Sequence, residues 1–83
     1  MNNETTIETR ILGYDIELTT YEEDGEPRSH CYITKGCDRG MFVASLDAAQ
    51  YTGELEDDTS GKHYKISERA LARIETWALA NGY

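Results

Sequence analysis

One stretch constrains the fold more than any other: an alternating run that ends in a tight-turn dipeptide and returns with matching polarity. Along Tyr14–Glu23, Tyr14, Ile16 and Leu18 point one way and Asp15, Glu17 and Thr19 the other. A period of two is the side-chain repeat of a strand, here with one apolar and one polar face. Asp24-Gly25 follows. Both residues tolerate positive φ, which a type I′ hairpin turn requires at its two central positions. Residues 29–35 read as the return strand. A two-residue turn pairs residues whose numbers sum to 49, so Ile16 faces Ile33 and Leu18 faces Cys31. On the other face Glu17 meets Tyr32, Thr19 meets His30 and Tyr21 meets Arg28. The faces sort into apolar and polar without adjustment, and a slip of one residue would destroy that sorting. Pro27 has no N–H to donate, so it marks its end of the return strand as an edge or a bulge.

The rest of the chain is read from local signals. Residues 1–6 read as frayed. Ile7, Ile11 and Leu12 suggest a short first element ending at Gly13, with strand and helix both open. Residues 36–40 read as a second turn, residues 41–44 as a third strand and residues 63–66 as a fourth. Ser45 can cap a brief helix over 46–51, with Asp47 in its first turn and Gly53 ending it. Residues 54–58 read as an acidic loop. Ser67 caps the best helix, over 68–81, where Ala70, Leu71, Ile74, Trp77 and Ala78 recur at helical spacing. Asn81-Gly82 is a stop signal. Ile74 and Trp77 are the expected anchors against the sheet. The expected fold is one α+β domain over 1–83, a small antiparallel β-sheet of three to four strands with the C-terminal α-helix packed on one face. The alternative is a strand-rich dimer that shares a sheet across an edge.

Composition bounds this reading. A chain of 83 residues allows one small domain. Ile, Leu, Val and Phe number 14, under the level of roughly 20% below which high net charge usually means disorder. Six Tyr and one Trp supply apolar area that this count omits. Stability is narrow at this size, so a partner or a dimer contact is expected to supply some of it. No apolar run is long enough for a membrane-spanning helix. The first residues are polar and acidic, without the features of a secretory signal, and the expected location is cytoplasmic.

Little in the chain points to catalysis or a cofactor. Cys31 and Cys37 allow one bridge at most, which the cytoplasm would keep reduced. With His30 and His63 they match no zinc spacing, so no metal site is expected. Glu54, Glu56 and Asp58 could open a calcium loop, but Thr59 stands where Gly is needed and Lys65 where Glu is needed. Ser67 is better used as a helix cap than as a nucleophile, and neither His lies in a recognisable triad pattern. The expectation is a protein that is not an enzyme.

The charge map says most. Residues 1–58 carry 14 acidic and 4 basic residues, a net of −10, whereas residues 59–83 carry a net of +2. The carboxylates gather on the strand face (Asp15, Glu17), at the hairpin tip (Glu22, Glu23, Asp24, with Glu26) and in the acidic run (Glu54, Glu56, Asp57, Asp58). Carboxylates two residues apart on a strand are about 6.6 Å apart, a spacing of the same order as that of nucleic-acid phosphates. Such a face can imitate a phosphate track and draw in a basic protein with fast, salt-sensitive association. Small acidic DNA-mimic inhibitors, anti-restriction and anti-CRISPR proteins of phages among them, offer an analogy, although no residue motif here identifies a member. The four cations Lys62, Lys65, Arg69 and Arg73 are too few for direct nucleic-acid binding by so acidic a chain. Tyr21 and Tyr32 share the polar face with the carboxylates, and exposed Tyr is common on recognition surfaces.

The resulting expectation is an interaction domain. Asp15, Glu17, Tyr21, Glu22, Glu23, Asp24, Glu54, Glu56, Asp57 and Asp58 are the candidate contacts to a basic protein or nucleic-acid-binding complex. The alternative is an assembly module that forms a homodimer or higher oligomer through a sheet edge or the C-terminal helix.

Overall fold

The computed structural model describes residues 4–37 and 40–83. Eight elements follow one another there: β1 (Thr5–Ile11), β2 (Tyr14–Glu23), β3 (Glu26–Cys37), β4 (Gly40–Ser45), α1 (Leu46–Thr52), β5 (Glu54–Glu56), β6 (His63–Lys65) and α2 (Glu68–Ala80). The strands make one antiparallel sheet in chain order, β1-β2-β3-β4-β5-β6. This is the expected α+β class, with six strands instead of three to four.

The central hairpin has the register that its polarity dictates. Ile16 pairs with Ile33, Leu18 with Cys31, Glu17 with Tyr32, Thr19 with His30 and Tyr21 with Arg28. Asp24 and Gly25 take φ of 55° and 80°, as a type I′ turn needs. The same device appears once more. Leu12 and Gly13 sit at φ of 49° and 85°, turning β1 onto β2 with Ile11 opposite Tyr14 and Ile7 opposite Leu18. The open first element is therefore a strand, and it takes in Thr5 and Thr6 from the stretch expected to fray; residues 1–3 of that stretch lie outside the described residues. Gly36 and Cys37 belong to β3 and Gly40 to β4, while residues 38–39 of the expected second turn also lie outside.

The acidic loop is the main correction. Glu54–Glu56 is a strand, β5, with Val43 opposite Glu56 on one side and Tyr64 opposite Leu55 on the other. Three residues are too few to reveal a period of two, and two of them are Glu. What makes the segment a strand is Leu55, which is fully buried between its charged neighbours.

One face of the sheet carries the core. Ile16, Leu18, Cys31, Ile33, Phe42 and Leu55 project inward to meet Leu46 and Ala49 of α1 and Ala70, Ile74 and Ala78 of α2. Ser45 and Ser67 cap the helices by accepting the amides of Ala48 and Ala70, each at 3.2 Å. Gly53 closes α1 at φ 74°. Ile74 is the fully buried anchor, while Trp77 only flanks the core, half-buried. Beyond α2 the chain doubles back, and the Tyr83 hydroxyl donates to the Asp47 carboxylate of α1.

Candidate functional site

The helices cover one face of the sheet, and the other is open. Strand pairing lines its side chains up in rows. One row crosses all six strands as Arg10, Asp15, Thr34, Val43, Glu56 and His63. The next runs Glu8, Glu17, Tyr32 and Ser45. Glu8 and Glu17 are thus directly opposite, a like-charge placement that costs stability. Arg10 lies 3.7 Å from Asp15, but both side chains are largely exposed, so the pair contributes little. Glu8, Arg10, Asp15, Glu17 and Thr34 line a shallow depression of about 310 Å³ on this face.

The second feature is a projecting arm. β1 pairs with β2 only as far as Thr20, and β4 pairs with β3 only as far as Tyr32. Among the described residues, 21–31 therefore pair only within their own hairpin. This arm carries Glu22, Glu23, Asp24 and Glu26 against one cation, Arg28, whose guanidinium donates to Glu26 at 3.3 Å. Glu23 and Glu26 face each other across the strands. At the arm's base three rings form a chain on the open face: Tyr21 to His30 at 5.7 Å between centroids, and His30 to Tyr32 at 5.2 Å. Tyr32 is 42% exposed.

The candidate residues divide on this frame. Asp15, Glu17, Tyr21 and Glu23 share the outward face of β2, with Asp24 at the turn; the alternation turns Glu22 to the other side of the arm. Glu54 and Glu56 lie on the same sheet face but three strands away, about 14 Å by strand spacing. There β6 faces them with cationic or ionisable partners, Lys65 opposite Glu54 and His63 opposite Glu56. Asp58 is exposed. Asp57 departs from the group: it is 7% exposed, and its carboxylate accepts the Thr59 amide at 2.9 Å. A Cβ on Gly40 would collide with that carboxylate. Asp57 shapes the β5–β6 turn and does not face outward.

Two groups on this surface stand outside the candidate contacts, although the hairpin register had already put His30 on the polar face. Glu8 joins the acidic row because β1 is a strand, a fact signalled by Ile7, Thr9 and Ile11 alternating up to Leu12-Gly13. His30 sits between two tyrosines because β3 places it there. The surface offers carboxylate oxygens, phenol hydroxyls and ring faces, all of which favour cations. The thiols lie elsewhere: Cys31 is buried under α1, where burial and then the nearby Asp47 push its pKa up to about 11. Among the described residues no group of three or more His, Cys, Asp and Glu is disposed to hold a metal ion, and no helix is long and apolar enough to cross a membrane. Comparison with protein families, curated proteins and solved structures finds no match to this chain.

Proposed function

We propose that this protein is a non-catalytic interaction domain whose acidic arm and adjoining open sheet face bind a basic, nucleic-acid-handling protein in place of a phosphate backbone. The observation that carries the reading is the arm: a hairpin end that, among the described residues, pairs only with itself and bears four carboxylates and a single cation. A hairpin end gains nothing for its own fold from Glu23 facing Glu26, since like charges directly opposite repel. A basic partner would turn that repulsion into attraction. Tyr21, His30 and Tyr32 add contact area with few rotatable bonds beside the charges. Glu54 and Glu56, matched by Lys65 and His63, and Asp15, matched by Arg10, contribute less to this surface than Glu17, Glu22, Glu23 and Asp24.

The test is capture from nuclease-treated lysate with the wild type and with Glu17→Lys/Glu23→Lys. Both side chains are exposed, so the variant folds, as circular dichroism would verify. The expected result is a basic protein retained by the wild type at low salt, released at high salt and not retained by the variant. Equal retention by wild type and variant removes the proposal.

A further inference from the structure

We propose that β1 is the seam of a homodimer, pairing antiparallel with β1 of a second copy about a two-fold axis at Thr9 and joining two sheets into one. The inference is independent of the partner proposed above.

Backbone hydrogen bonding sets which groups of β1 are free. In a two-residue hairpin the residues flanking the turn exchange both backbone bonds, and the exchange recurs at every second position. Ile11, Thr9 and Ile7 therefore use their backbone groups on β2, while Arg10, Glu8 and Thr6 aim theirs at the free edge. This edge is seven residues long and has no proline or bulge. The edge at the far side of the sheet, β6, has three residues. Short edges resist pairing, and long flat ones invite it.

The side chains then select the register. Centred on Thr9, each Glu8 lies opposite the Arg10 of the second copy, twice over, on the open face. These are residues whose backbone groups are free, so each pair also exchanges two hydrogen bonds. On the inner face Ile7 meets Ile11 twice, and both are half-buried in the single chain. The same register brings a guanidinium to Glu8, which within its own chain faces Glu17. Centring the pairing on Glu8 sets Glu8 against Glu8. Centring it on Ile7 leaves Glu8 against Thr6 and carries Ile11 past the end of the opposing strand. An edge charge normally keeps other strands away; here two opposite charges at alternate positions make the edge complementary to itself. An isologous contact of this kind closes at two copies.

Two experiments decide it. Sedimentation should show a concentration-dependent dimer for the wild type and monomers for Glu8→Arg and for Arg10→Glu, each of which sets like charges opposite one another twice. Mixing those two variants restores both ion pairs and should restore the dimer. Glu8 and Arg10 are exposed, and circular dichroism would verify each fold. In a Cys37→Ser background, Thr9→Cys should oxidise to a covalent dimer, because residues facing each other on the axis have Cα atoms about 4.5 Å apart, within disulfide reach. Glu8→Cys and Ile7→Cys should not. A monomeric wild type at every concentration, no dimer in the mixture, or cross-linking at residue 7 or 8 in place of residue 9 would overturn the proposal.

Discussion

Leu12 occupies the first central position of a type I′ turn at φ 49°, a conformation that costs an ordinary L-residue about 1–2 kcal/mol. Asn adopts it more readily, and Leu12 is 44% exposed, so little burial is lost by replacing it. Leu12→Asn should raise stability by about 0.5–1 kcal/mol, seen as a higher urea midpoint at unchanged slope; a lower midpoint would contradict the turn assignment. The same residue explains a gap in the sequence reading. Asp24-Gly25 announces its turn because Asp is a usual occupant, whereas Leu conceals an identical one. Asp57 shows the converse. It stands in an acidic run and looks like its neighbours, and only its packing against Gly40 separates a turn-former from a surface charge.

At the scale of elements, α2 is held by a cap at one end and an anchor near its middle. Ser67→Ala should cost about 1 kcal/mol, since the Ala70 amide loses its acceptor. Ile74→Ala should cost roughly 2–5 kcal/mol, since its side chain is fully buried under the sheet. Denaturant unfolding of both variants should rank them in that order, and a reversed order would place the helix elsewhere. Elements with a period long enough to register were legible: α2, α1 with its Ser45 cap, and the β2–β3 hairpin down to its residue pairs. β6 was legible as a strand over 63–66, but β5 was not, and with it their pairing, because a three-residue strand with acidic residues at both ends has no period and takes its identity from its neighbours.

For the whole molecule, two buried groups, Cys31 and Tyr14, and the partly buried Tyr83 set an alkaline limit. Burial and then Asp47 raise Cys31 from 9.0 to about 11. Burial, the hydrogen bond to Asp47 and the neighbouring charges raise Tyr83 from 10.0 to about 12. Burial and the Tyr64 phenol raise Tyr14 as well. Each group is neutral when protonated, and folding tightens its hold on the proton. The stability linked to it is complete below its ordinary value and is lost as pH rises through the folded one. Tm should therefore fall between pH 9 and 12, and Tyr83→Phe should flatten the part above pH 10. Equal slopes for the two proteins would show that the C-terminal tail does not protect that phenol.

The amino-acid sequence alone determined whatever depends on neighbours in the chain: the α+β class, both helix caps, and the hairpin whose pairing sorts Ile16, Leu18, Cys31 and Ile33 from Glu17, Thr19, His30 and Tyr32. Those are short-range matters of periodicity, turn φ and capping. Tertiary structure alone decided which charges share a surface. Glu8 reaches Glu17 through β1, Glu56 stands three strands away facing His63, and Asp57 is turned inward. The physical reason is that charge is read residue by residue along a chain, whereas the field a partner meets depends on strand order, and strand order is set by burying residues such as Leu55 and Ile74.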